Sequence, residues 1–156
     1  MSTNATPPFY TVENYHQQDS IGFLLHQTKV RLTQHIDEQI SGHGITAAQW
    51  AVLKQMSAGT TASALCRCSG HDTGSMTRML DRLEEKGLIC RERSTTDRRV
   101  VELHTTPAGQ ELLGQVVPLV VNALNQSLQG FSAEEFELAK SLLRRMIGNL
   151  DEHREG

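Results

Sequence analysis

The chain has 156 residues, 38% of them hydrophobic, and a formal net charge of −3. That length suits one compact domain, or one binding lobe with an oligomerisation lobe attached. The charge excludes a chain that is basic throughout but leaves room for a local basic surface, and local charge is what a polyanion feels.

One segment is basic. From Arg67 to Arg99 there are eight basic residues against six acidic ones, net +2, so the rest of the chain carries −5. The three cysteines are an odd number in mid-chain. The beginning, MSTNATPPFY, has neither a basic start nor an apolar run, and no stretch is apolar enough to span a membrane. These features predict a cytoplasmic protein with reduced thiols.

Residues 1–19, with Pro7 and Pro8 and little periodicity, predict a flexible or partner-dependent arm. From Ser20 the pattern becomes helical. Ile21, Leu24, Leu25, Thr28, Leu32, Ile36 and Ile40 fall on one stripe, and Gly42 and Gly44 end it. Thr46 and Gln49 form a capping box for a short helix holding Trp50, Leu53 and Met56. Thr60 or Thr61 caps a third helix that stops near Gly70. Asp72 caps a fourth, whose apolar back is Met76, Met79, Leu80 and Leu83. Leu88 to Arg93 and Arg98 to His104 predict two strands joined by a polar turn. Thr106 and Pro107 are a cap and a first-turn proline. The helix they open should bury Leu112, Leu113, Val116, Val117, Val120 and Leu124, and kink at Pro118. Ser132 and Glu135 box the start of a last helix with Phe136, Leu142, Leu143, Met146, Ile147 and Leu150 inside. The expected fold is mainly α with a small β-hairpin. A winged helix-turn-helix lobe over 45–105 would be joined to dimerisation helices over 20–42 and 107–152.

The third and fourth helices and the hairpin form the unit that carries chemistry. Thr73, Ser75, Thr77, Arg78 and Arg82 lie away from the apolar back of the fourth helix. Small hydroxyls near a helix start can bond phosphates, and Arg78 could read a guanine edge in the major groove. Arg91, Arg93, Arg98 and Arg99 surround a narrow turn suited to a minor groove, whose negative potential attracts guanidinium. Asp97 is expected to pair with a wing arginine and fix the turn. The competing reading is a solvated charged helix beside a surface hairpin. Arginines at both positions where a helix-turn-helix and its wing need them weigh against it.

The stretch DTGSMTRMLDRLEEKGLICRERSTTDRRVVELHTTPAGQELL resembles the MarR family of bacterial regulators. The resemblance rests on Thr77-Arg78, Leu83-Glu84, the run Lys86 to Ile89, Arg91, Asp97 to Arg99, and Thr106 with Gly109. Gly44 to Thr46 and Gln49-Trp50 add to it upstream. It spans about residues 20–150 and departs at Thr105, where the family usually has leucine. It implies a triangular homodimer whose first and last two helices interdigitate, with winged lobes one DNA turn apart on a palindromic operator of double-stranded DNA. It also implies DNA contact by Thr73 to Arg82 and Arg91 to Arg99, and an Asp97–Arg99 pairing. Function is then expected to be transcriptional repression by occupancy.

Many such regulators release DNA on binding a small aromatic carboxylate or phenol. Phe23, Gln27, Arg31, His35, His43 and Trp50 would line a crevice between the helical and winged lobes. Trp50 is more often a core residue than a ligand, and His35 and His43 more often surface or loop residues. Alternatively Cys68, near Arg67 and a helix end, could sense oxidants; Cys66 and Cys68, two apart on a helix, are poorly placed to bridge each other. Cys66, Cys68 and His71 lack the spaced pairs of a zinc site, so neither metal nor cofactor is expected. No nucleophile elbow, phosphate loop or zinc-protease motif occurs, so an enzyme is not expected. A winged-helix protein-interaction module is a further alternative, which the wing arginines disfavour.

Overall fold

The computed structural model describes residues 8–57 and 59–153; residues 1–7 of the predicted arm lie outside the described residues. Residues 8–19 make a turn closed by Thr11 and Asn14 and a single 3-10 turn. The Tyr10 hydroxyl accepts the Ile21 N–H at 2.9 Å, tying the arm to the first helix.

Six helices follow, with a hairpin between the fourth and fifth. They are α1 Ile21–Ile40, α2 Ala47–Gln55, α3 Ala62–Ser69, α4 Thr73–Glu85, α5 Pro107–Ser127 and α6 Ala133–Glu152. The strands are β1 Ile89–Arg93 and β2 Val101–Thr105. Each cap expected from sequence forms. Thr46 with Gln49 and Ser132 with Glu135 close reciprocal boxes. Thr61, Asp72 and Thr106 accept the N–H of Ala64, Ser75 and Gly109. These bonds satisfy donors that a helix start leaves open. The fifth helix runs through Pro118 as one element.

The core sits where the second half of α1, α2, α4, α5 and the hairpin base converge. Ile40, Leu53, Met76, Leu80, Leu83, Ile89, Leu103, Val116 and Val120 are all essentially inaccessible. The expected apolar stripes of α1 and α5 are therefore only half buried. Ile36 and Ile40 are covered, but Ile21, Leu24 and Leu25 are exposed, as is Leu124 at the far end of α5. In α6, Phe136, Leu142, Leu143, Ile147 and Leu150 are all exposed. Among the described residues, these outer turns of α1, α5 and α6 are left largely uncovered.

The hairpin is antiparallel, with Cys90 opposite His104 and Arg93 opposite Val101. It is shorter than expected. Ser94 N–H donates to Val100 O, and Val100 N–H to Asp97 O, so Arg98 belongs to the turn and not to β2. A third pairing was not legible in the sequence. The Leu103 N–H donates to Thr60 O at 2.8 Å, joining the loop before α3 to the free edge of β2.

Gly87 and Gly109 fasten the hairpin to the helices. Gly87 takes a φ of +69°, a left-handed turn that costs glycine nothing. Thr106 Oγ1 donates to Gly87 O at 2.6 Å. Gly109 lets the first turn of α5 lie directly on the backbone of Leu88.

Candidate nucleic-acid interface

The recognition element is α4. Its buried face is Met76, Leu80 and Leu83, and its solvent face carries Thr73, Thr77, Arg78 and Arg82. At its start, Asp72 accepts both the Ser75 N–H at 2.9 Å and the Ser75 hydroxyl at 2.6 Å. The hydroxyl and then the N–H hold the Asp72 carboxyl below the usual carboxylate range. Ser75 is thus an internal clamp of the helix start: its proton goes to Asp72 and is not free for a phosphate. The Thr77 hydroxyl likewise donates to Thr73 O at 2.8 Å, leaving its lone pairs outward.

Arg78 and Arg82 line a shallow hollow of about 390 Å³ with Thr46 and Ala48. The start of α2 therefore borders the same surface, a neighbour that the linear spacing does not reveal.

On the wing, Arg93, Arg98 and Arg99 are exposed. With Arg78 and Arg82 they make five guanidiniums that form no ion pair among the described residues. Arg91 differs. It is half-buried, donates to Asp81 Oδ1 at 2.7 Å, and is also paired with Glu84. Burial works against its charge, but the Asp81 hydrogen bond and the Glu84 carboxylate outweigh it and hold the guanidinium more firmly protonated. Arg91 thus locks the wing onto α4, and its guanidinium is engaged within the protein. Asp97 acts through the backbone. Its Oδ1 accepts the Arg99 backbone N–H at 3.0 Å, and no arginine side chain pairs with it among the described residues. A short turn closes its own backbone donors first, which leaves Arg98 and Arg99 both free.

Arg91→Ala should cost about 1–2 kcal/mol, since two carboxylates lose their shared partner at a partly exposed site. Thermal unfolding checks this, and Arg91→Lys should recover only part because one ammonium cannot fork to both acids.

The expected ligand residues do not meet. His43 lines a cavity of about 340 Å³ with Lys86, Leu88, Glu111 and Leu112, and its Nδ1 is buried without a partner among the described residues. Arg31 and His35 line a different hollow of about 940 Å³ against α6. His35 Nε2 lies 2.7 Å from Gln126 Oε1. Phe23, Gln27 and Trp50 line neither, and Trp50 packs against the core. Phe23, Gln27, Arg31 and His35 are spread along about 18 Å of α1, and His43 and Trp50 sit on later elements, so nearness in sequence did not mean a common cavity. The residue that sequence reading missed is Lys86. Its Nζ donates to Gly44 O at 2.7 Å and Gln49 Oε1 at 3.0 Å, bridging the end of α4 to the start of α2. Cys66 is half-buried, whereas Cys68 is exposed on α3.

A helix-turn-helix followed by an arginine-tipped hairpin defines a winged-helix protein. A profile of the MarR family matches residues 43–100. An Escherichia coli MarR variant solved with operator DNA is 32% identical, covers 80% of this chain and 91% of its own, and superposes with a TM-score of 0.73. The transcriptional regulator PA3341 is 28% identical over 85% of this chain and 99% of its own, with a TM-score of 0.78. BpsR of Bordetella bronchiseptica, whose DNA binding is regulated by 6-hydroxynicotinic acid, is 25% identical over 85% of this chain and 96% of its own, with a TM-score of 0.76. This chain belongs to the MarR family of DNA-binding winged-helix transcriptional regulators. No helix among the described residues is long and apolar enough to cross a membrane.

Proposed function

We propose that the protein is a homodimeric, sequence-specific repressor that grips a palindromic operator and lets go when a small aromatic acid or phenol binds. The observation that carries the DNA reading is the set of five exposed arginines on α4 and the wing that form no ion pair among the described residues. Arg78 and Arg82 enter the major groove with Thr73 and Thr77 at phosphates, while Arg93, Arg98 and Arg99 follow the minor groove. Fluorescence anisotropy on fragments flanking the protein's own gene, at two salt concentrations, tests it. Tight, steeply salt-dependent binding to one fragment is expected. Equal, weak binding to all fragments would overturn the reading.

Dimerisation is supported by the uncovered apolar turns of α1 and α6 and by the two hollows of about 940 Å³ that flank α6. Apolar surface on this scale is rarely left to water. Light scattering should give twice the chain mass. Leu142→Asp with Ile147→Asp should shift the protein to monomer or unfolded chain and lower operator affinity at least about tenfold, because one half-site alone remains.

The effector site best supported is the cavity at His43. Lys86 offers a cation, the buried His43 Nδ1 an open hydrogen-bonding position, and Leu88 and Leu112 an apolar wall. It lies between the helical and winged lobes, so filling it can shift one against the other. The relative BpsR, regulated by a hydroxylated aromatic acid, points to the same ligand class. Calorimetric titration with hydroxybenzoates and hydroxypyridine carboxylates should give heat that Lys86→Met removes.

A further inference from the structure

The cavity at His43 and the hollow of Arg78 and Arg82 are joined through one cation. Lys86 is the C-terminal cap of α4 and lines the His43 cavity together with Gly44. Its Nζ donates to Gly44 O at 2.7 Å and to Gln49 Oε1 at 3.0 Å. Gln49 is buried, at 6% exposure, and lines the other hollow, the one that holds Arg78 and Arg82. The path from the cavity to the recognition arginines is therefore Lys86 and then Gln49.

Gln49 also belongs to the capping box of α2, where its Oε1 accepts the Thr46 N–H at 3.2 Å. Both lone pairs of that oxygen are then in use, one by the cap and one by Lys86. The amide fixes the start of α2 against the end of α4 across 37 residues of chain. Among the described residues, no hydrogen bond or ion pair other than those of Lys86 ties the start of α2 to α4 or its cap. An ammonium has three N–H groups, so one is left over from these two bonds. Lys86 is exposed and can be reached from the cavity. Glu111 lines the same cavity yet forms no ion pair with Lys86, so the ammonium is committed to two neutral oxygens. A carboxylate makes a stronger hydrogen bond to an ammonium than a neutral carbonyl does.

We propose that Lys86 and Gln49 are positioning residues for DNA recognition. They hold the end of α4 on the start of α2 and so set Arg78 and Arg82 for the groove. An anion in the His43 cavity slackens that hold by drawing the ammonium toward itself. The anion's action rests on the effector site proposed above; the hold does not. No covalent bond changes, and one set of hydrogen bonds is exchanged for another.

Fluorescence anisotropy over a salt series tests the hold without any ligand. Lys86→Met should bind the operator about three- to tenfold more weakly than the parent, at the parent's salt slope. Lys86→Arg, which can still donate to both oxygens, should recover most of the loss. Unchanged affinity in Lys86→Met would overturn the proposal. A slope shallower by about one per chain would overturn it too, because it marks a phosphate contact. Circular dichroism should match the parent; should Lys86→Met fail to fold, Lys86→Gln takes its place with the same expectation. Transmission is read as the ratio of operator Kd with and without saturating 4-hydroxybenzoate, taken within each variant. The parent should show a ratio of roughly ten or more. Gln49→Glu holds the ammonium more tightly and should cut the ratio to about three or less, while calorimetry still detects the acid. A ratio equal to the parent's would overturn the transmission. If no aromatic acid gives heat with the parent, the effector reading fails by itself, and the ligand-free comparison still decides the hold.

Discussion

Reversing the charge of Arg98 and Arg99 together, by Glu at both positions, should lower operator affinity by roughly a hundredfold or more at moderate salt. In the proposed dimer the change acts at two wings, so four cationic contacts disappear and four carboxylates face phosphate. Counterion release then predicts that the slope of log affinity against log salt becomes shallower by roughly 3–4. The fold should not suffer. Both side chains are exposed and unpaired among the described residues, and the turn is closed by Asp97 through the backbone of Arg99, not through its guanidinium. Stability is expected to stay within about 0.5 kcal/mol of the parent. Anisotropy over a salt series, beside a thermal melt, reads both quantities. Arg78→Ala provides the contrast. A lost base contact costs about 1–3 kcal/mol and relaxes preference at one base pair, with little change in slope. An unaltered salt slope in the double glutamate variant would remove the wing from the interface and leave α4 alone on DNA.

Gly109→Ala should be among the most damaging single-methyl changes in the molecule. A Cβ at this position would stand 2.2 Å from Leu88 O and 2.7 Å from Thr105 Cγ2. The first obstacle is backbone, and it is already engaged: Leu88 O accepts the Thr106 N–H at 3.0 Å, and Thr106 in turn holds Gly87 O. The methyl can be accommodated only by moving α5 off the hairpin, which tears at the cap and at the strand start together. A loss of about 3 kcal/mol is expected, and a fall in melting temperature of roughly 6–12 °C. Gly114→Ala, in the same helix with nothing within 4 Å of the new Cβ, should instead gain about 0.5–1 kcal/mol from the stiffer unfolded chain. Melts compared at equal chain concentration separate the two. Equal effects at both positions would mean that α5 does not rest on Leu88.

Much of the fold was legible because its punctuation is local. A hydroxyl or carboxylate at 46, 61, 72, 106 or 132 meets N–H groups three residues on, and such contacts need no knowledge of the rest of the chain. The helix-turn-helix and hairpin followed from that punctuation and from helical spacing of apolar residues. Burial was less legible. The stripe of α1 is continuous in sequence, yet Ile36 and Ile40 are covered while Ile21, Leu24 and Leu25 are not. Periodicity shows which face is apolar, not how far a neighbour extends along it.

The site divided along the same line. Composition and order alone placed a basic helix and a basic hairpin side by side, and Arg78, Arg82, Arg93, Arg98 and Arg99 are exposed and form no ion pair among the described residues. Which arginine was spent internally could not be read, because Asp81 and Glu84 reach Arg91 only when β1 folds back across α4. Lys86 meets Gly44 and Gln49 over some 40 residues of chain, and strand register sets Cys90 opposite His104. The sequence by itself determined the helices, their caps and the family, since these rest on neighbours within about one turn and on a long contiguous motif. Only the tertiary structure decided which charges are free, which cavity a histidine enters and which side chains share a face. Those outcomes depend on distances between elements, and a one-residue shift in strand register or a few degrees of helix packing would change them.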